Sequence, residues 1–207
     1  AGMIIEEPSI VEYTQGVFER DFGFGLKKSP QVSSEDVQLI QETDNIQVVI
    51  PPPYNFKYCN ATSPDPSPII GVADISIIIS PDYAFDSIVE FQKATSSFYL
   101  SIYQITEPEL VEALIQMKTK NPSLDMKIFV SHDIYGEDDQ RLVLECYNRL
   151  FEHGIVVQLS HQHCLFYSHQ KFWIVDGNVL FMSTRNWSPS DYPVPPYVYP
   201  PYGNKDW

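Results

Sequence analysis

Residues 167–187 read YSHQKFWIVDGNVLFMSTRNW, and the reading of this stretch decides the fold. Its first half alternates as a strand should, so His169 and Lys171, two residues apart, emerge on one face. Asp176-Gly177-Asn178 then supplies hairpin-turn chemistry, because Asp-Gly and Gly-Asn tolerate the positive φ values of a tight turn. Val179 to Met182 returns as the partner strand. A loop of Gly177-Asn178 sets His169 opposite Asn186 and Lys171 opposite Thr184; a loop of Asp176-Gly177 sets His169 opposite Thr184. Either register gathers an imidazole, an ammonium, a hydroxyl and a carboxamide on one patch. That set suits a phosphate: Lys171 brings charge, Thr184 and Asn186 donate hydrogen bonds, and His169 attacks or moves a proton.

Working outward, strand and helix patterns alternate. A buried-strand run at Ile75 to Ile79 precedes an amphipathic helix over Tyr83 to Thr95 and a strand over Phe98 to Ile105. A helix over Glu107 to Lys118 carries Pro108 in its first turn, where helix starts favour proline. A strand at Lys127 to Val130, a helix over Asp138 to His153 closed by Gly154, and a strand at Ile155 to Leu159 complete the run. This order predicts an α/β fold, a sandwich in which helices flank a largely buried mixed sheet. Near the start, Ser9 to Phe22 has helical spacing. Residues 27–69 form a polar, Pro-rich connection with a short strand at Ile46 to Ile50. In residues 188–203 prolines alternate with tyrosines, which forbids helix and favours stiff, extended chain; its place after the motif suggests a wall over the site.

The 207 residues are 43% hydrophobic and only 19% charged, which is globular composition rather than disorder. No apolar run reaches the roughly 20 residues a membrane-spanning helix needs. A formal charge of −14 repels polyanions at long range, arguing against a general nucleic-acid binder while leaving a site for one phosphate untouched. Cys59, Cys146 and Cys164 have no CxxC spacing, so neither a zinc ribbon nor a redox pair is expected. His161, His163 and Cys164 are too crowded to make an attractive zinc site, and no metal or other cofactor is expected. Asn60-Ala61-Thr62 is a glycosylation sequon, which fits a glycoprotein that is secreted or resides in the endolysosomal lumen.

His169-x-Lys171-x4-Asp176, then six residues, then Ser183-Thr184-x-Asn186, resembles the signature of the phospholipase D superfamily, HxKxxxxD followed by Gly-Ser-x-Asn. The spacing matches throughout. Ser183 stands where the family has Gly, and Thr184 keeps the hydroxyl of the usual Ser. The resemblance extends over residues 70–207 as one phospholipase D-like half-domain, and residues 1–26 are similar to the helix that closes a preceding half. Asn204-Lys205-Asp206 resembles the family's Asn-x-acid segment, which makes Asp206 the expected carboxylate orienting His169. Asp176 is implied to anchor structure rather than to react.

The resemblance implies a phosphodiesterase acting by double displacement. One histidine attacks phosphorus to give a phosphohistidine, a second protonates the leaving alcohol, and water or another alcohol resolves the intermediate. One imidazole cannot do both jobs in one step, and there is no second HxK, so the partner half-site is expected from another chain or chain segment: an N-terminal half of a longer protein is favoured over a homodimer mate. An isolated half-site is expected to be nearly inert. The substrate class includes phospholipid and nucleic acid, and net acidity tilts the expectation toward lipid degradation or the hydrolysis of another small diester. The competing expectations are a nuclease of the same superfamily and a non-catalytic structural or binding protein that keeps the fold.

Overall fold

The computed structural model describes residues 2–23, 74–79, 83–132, 134, 137–160 and 168–192. Within them, one seven-stranded mixed sheet runs in the order β2-β1-β7-β6-β3-β4-β5. Its strands are β1 (Gly2–Ile5), β2 (Ile75–Ile78), β3 (Ser97–Ile102), β4 (Asp125–Val130), β5 (Val156–Leu159), β6 (Phe172–Val175) and β7 (Val179–Ser183). β3, β4 and β5 are parallel, while β6, β7, β1 and β2 pair antiparallel. The helices are α1 (Pro8–Gly23), α2 (Asp86–Phe91), α3 (Pro108–Lys120) and α4 (Glu137–Glu152). The sandwich expected from the alternation is the one found.

Local chemistry explains where the helices begin and end. Pro8 opens α1, and the Glu7 carboxylate accepts the Ile10 N–H at 2.9 Å, satisfying one of the donors a helix start leaves open. α3 repeats the device: Glu107 caps it by accepting the Glu109 N–H, Pro108 follows, and Lys118 and Lys120 sit in the last turn. Gly154, at φ 72°, ends the connection after α4, a conformation that an L side chain rarely adopts.

Two cores lie on the two faces of the sheet. On one, α1 lays Val11, Phe18 and Phe22 over Tyr99, Phe172, Ile174 and Leu180, with the Phe18 and Tyr99 rings stacked at 5.2 Å. On the other, α2, α3 and α4 contribute to a larger core around Leu100, Ile128, Trp173 and Phe181, where the last two rings stack at 3.9 Å. β6 is buried along its whole length, which is why Phe172-Trp173-Ile174-Val175 is continuously apolar. Fully burying each such side chain contributes about 1.5–3 kcal/mol.

Several sequence expectations are corrected in detail. Ile75 to Ile79, expected to be buried, is an exposed edge strand: Ile75 and Ile77 are 55% and 64% accessible, because β2 ends the sheet beyond the cover of α1. The helix expected over Tyr83 to Thr95 is confined to α2. The strand expected as far as Ile105 ends at Ile102, and Ile105 instead makes an isolated bridge to Trp187. Gly2 to Ile5, which carries too short a pattern to be singled out, forms β1 between β2 and β7. Residues 2–23 thus share the sheet and core of residues 74–192. The strand expected at Ile46 to Ile50, the sequon at Asn60, the insertion beyond Tyr192 and the segment carrying Asp206 lie outside the described residues, as do His161, His163, Cys59 and Cys164.

Candidate active site

The hairpin fixes the site, and its register is neither of the two considered. Asp176 and Gly177 both have positive φ, and the Asn178 N–H closes the turn on the Val175 carbonyl at 3.0 Å. That is the type I′ pattern. Asn178 is then an extra residue, so Val175 faces Val179 and Phe172 faces Met182. One step further, the Ser183 N–H donates to the Lys171 carbonyl at 2.8 Å. Lys171 therefore lies beside Ser183 rather than opposite Thr184. The turn accommodates one more residue than a two-residue loop, and each pairing slides accordingly.

His169 and Lys171 precede β6 rather than lying within it. They meet on one ring. The His169 imidazole stands edge-on to Tyr103 with centroids 5.2 Å apart, and the Lys171 ammonium lies 5.8 Å from the same ring's centroid. Lys171 is buried while His169 is exposed, and the Lys171 Nζ donates to the His169 carbonyl at 3.1 Å. Desolvation of the ring, and after it the Lys171 charge, hold the His169 imidazole below the ordinary histidine pKa. A larger share of it is therefore neutral, and nucleophilic, at neutral pH.

The surrounding frame is built from the carboxyl ends of the parallel strands, where ligand sites of open α/β sheets form. The Ser168 N–H donates to Ser131 Oγ just past β4, and Ser101 Oγ on β3 donates to the Gln170 side chain. After β7, the Trp187 carbonyl accepts both the Thr106 and Glu107 N–H groups, at 2.7 and 3.0 Å, and the Trp187 side chain is fully buried. Thr184 stays exposed, and Asn186 is half-buried with its N–H donated to Asp191 at 3.1 Å. Ser183, in the place of a glycine, accepts the Arg185 N–H on its hydroxyl at 3.1 Å, a local turn that employs the added side chain.

Asp176 sits at the far end of the hairpin. Its carboxylate accepts the N–H groups of Thr95, Ser96 and Ser97 and the hydroxyls of Thr95 and Ser96. Burial pushes its pKa up, but these donors outweigh it and hold the group far below the usual carboxylate range. It tethers the hairpin to the start of β3. Asn186-Trp187-Ser188 also reads as a sequon, expected to carry no glycan. Here Asn186 Oδ1 is buried and the Ser188 hydroxyl donates to Asp191 at 2.6 Å. Tyr103, Arg185 and Asp191 belong to this frame and were not singled out in the sequence, since none falls at a motif position. Among the described residues no group of histidine, cysteine or acidic side chains has the arrangement of a metal site.

Comparison with known proteins bears on the family and the fold. The cardiolipin synthase, PLD-like domain family matches residues 88–192, just over half of the chain. Among solved structures, a phospholipase D family member, Nuc from Salmonella typhimurium, superposes with a TM-score of 0.50 at 19% identity, covering 62% of this chain and 75% of that one. NucT from Helicobacter pylori gives 0.44 at 15% identity, covering 63% and 80%. No curated protein sequence matches the chain. The Nuc superposition speaks for the shared fold, and the family match spans the motif strands themselves: the chain belongs to the phospholipase D superfamily, through its PLD-like domain.

Proposed function

We propose that the protein is a phosphodiesterase of the phospholipase D type, with His169 as the group that attacks phosphorus or protonates the leaving oxygen. The observation that carries this reading is the pairing of an exposed imidazole, poised neutral, with a buried lysine on the same Tyr103 ring. Lys171 supplies the positive charge for the non-bridging phosphate oxygens, and Thr184 and Asn186 supply donors, so charge developing at phosphorus meets a pre-formed set of dipoles. In the first step the imidazole nitrogen forms a bond to phosphorus as the ester oxygen departs, carrying a proton from a second histidine. Water then displaces the imidazole. Asp206 orients His169 in this reading, and Asp176 maintains the hairpin.

The second histidine comes from a further phospholipase D-like half-domain, either an N-terminal half or a second copy of the chain. The substrate is a phospholipid or other small diester in preference to nucleic acid, because a net charge of −14 opposes a polyanion. The sequon at Asn60 favours a secreted or lumenal location, checked by a mass shift on deglycosylation.

The test is to quench the native assembly during turnover of a labelled phosphodiester and look for phosphate on histidine by mass spectrometry under alkaline conditions. Label on His169, or on the partner histidine and lost with His169→Ala, supports the reading. Absence of turnover on lipid, small-diester and nucleic-acid substrates sinks it in favour of a non-catalytic protein.

A further inference from the structure

Arg185 lies between the two phosphate donors in sequence, and its side chain is 1% accessible. Its Nη2 donates to the Ala84 carbonyl and to Ser87 Oγ, both at 3.2 Å. The guanidinium carbon lies 4.2 Å from the centroid of the Tyr192 ring, and Ser87 Oγ is 3.3 Å from the Tyr192 hydroxyl. Nε and Nη1 are buried with no hydrogen-bond partner among the described residues. Among the described residues no carboxylate pairs with this cation.

A buried charge in that state is a poor way to build a core. Desolvation is costly, ring attraction and two acceptors compensate only part of it, and an apolar side chain of the same size often serves stability as well or better. A contribution to folding alone therefore does not account for an arginine here. What it offers beyond a methionine is orientation. A planar fork held at Ala84 and Ser87 and stacked on Tyr192 fixes the rotation of the backbone at residue 185. Next to it, Asn186 N–H is fixed by Asp191, the residue before Tyr192. The two latches lie side by side, Arg185 on Tyr192 and Asn186 on Asp191, and together they close the turn that displays Thr184 and Asn186.

We propose that Arg185 is a positioning residue, setting the Thr184 and Asn186 donors for a phosphate through its latch onto Ala84, Ser87 and Tyr192. The proposal rests on the phosphodiesterase reading and adds to it a residue outside the HxKxxxxD signature.

The experiment compares the native assembly with its Arg185→Met, Arg185→Lys and Lys171→Met variants. It reads the melting temperature, the Kd for inorganic phosphate by calorimetry, and kcat and KM on a small phosphodiester. Arg185→Met is expected to melt at or above the wild-type temperature, yet to bind phosphate about tenfold more weakly and to lose about tenfold in kcat, because loosened donors stabilise charge less well. Arg185→Lys, which keeps charge and loses the fork, is expected to recover only part of the phosphate affinity. A stable Arg185→Met with wild-type phosphate affinity and turnover, beside an inert Lys171→Met, overturns the positioning role and leaves the phosphodiesterase reading standing. A wild type that neither binds phosphate nor turns over diester overturns both. If Arg185→Met does not fold, Ser87→Ala removes one acceptor and keeps the cation. About two- to threefold weaker phosphate binding by the folded variant supports the latch, and unchanged binding overturns it.

Discussion

At the closed end of the β6–β7 hairpin, the Asp176 carboxylate accepts three backbone N–H groups and two hydroxyls from Thr95, Ser96 and Ser97. At the open end of the same hairpin, His169 and Thr184 are exposed, Lys171 is buried, and buried polar atoms of Arg185 and Asn186 lack partners. The two ends are only a few residues apart along each strand. The closed end is saturated with hydrogen bonds; the open end is not, at Arg185 and Asn186 among the described residues. Saturation gives stability, because each bond to a charged group offsets the cost of taking that group out of water. Buried polar atoms without partners cost stability, and at Arg185 the proposed return for that cost is the placing of Thr184 and Asn186. On the proposed reading, the chain separates the part of its signature that holds the fold from the part that meets a ligand.

The largest expected effect lies at the open end. His169→Ala should cut turnover on the order of 10⁴-fold or more while leaving the urea midpoint within experimental scatter, since an exposed imidazole contributes little to the core. A large loss of stability would break the division between the ends. At the closed end, Asp176→Ala should destabilise by about 2–3 kcal/mol in urea unfolding, leaving several donors without their acceptor. Turnover per folded molecule should stay within a few-fold. If activity is abolished in fully folded protein, Asp176 belongs with the reactive end after all.

The pH dependence sharpens the same contrast. Because the folded Asp176 pKa is depressed, its contribution is present above the ordinary aspartate value of 3.8 and is lost as pH falls below it toward the folded value. Acid unfolding curves of Asp176→Ala should therefore be flatter than wild type over that range. At the open end, an NMR titration of His169 should show a midpoint below that of an ordinary histidine, moving upward in Lys171→Met as the repelling ammonium is removed. No movement would uncouple the two side chains. The smallest effect is expected for Gly177→Ala. At φ +67° an alanine is strained, and its Cβ would come within 3.2 Å of Gln15 Oε1, a side-chain atom able to withdraw. About 1 kcal/mol of lost stability is expected, with unchanged activity.

Local chemistry made a good part of this molecule legible. Pro108 and Gly154 mark helix boundaries that the structure keeps, and Asp176-Gly177 is a turn because few other pairs tolerate two positive φ values in succession. The grouping of His169 with Lys171 also follows from spacing along extended chain. What local pattern did not yield were quantities set by the rest of the sheet. Ile75 to Ile79 has the composition of a buried strand, yet the sheet order leaves it at an edge. β1 is four residues long and pairs across roughly 70 and 180 positions of sequence, beyond any local signal. The hairpin register depended on one residue, Asn178, joining the turn rather than the strand.

Side-chain chemistry and short-range spacing are enough to give the family signature, the α/β alternation and the identity of the charged groups. Which of those groups are buried, and against what, depends on packing across the whole sheet. Tyr103 became the ring shared by His169 and Lys171, and Arg185 became a buried cation on Tyr192, because the ends of β3, β6 and β7 converge with the start of α2. Arg185 and Tyr192 are close in sequence, but Tyr103 meets His169 and Lys171 across about 70 positions, and Arg185 meets Ala84 and Ser87 across about 100. These contacts exist only once the core formed by Trp173, Phe181 and Trp187 has closed, since it is the packing of those rings that fixes where the strand ends can meet.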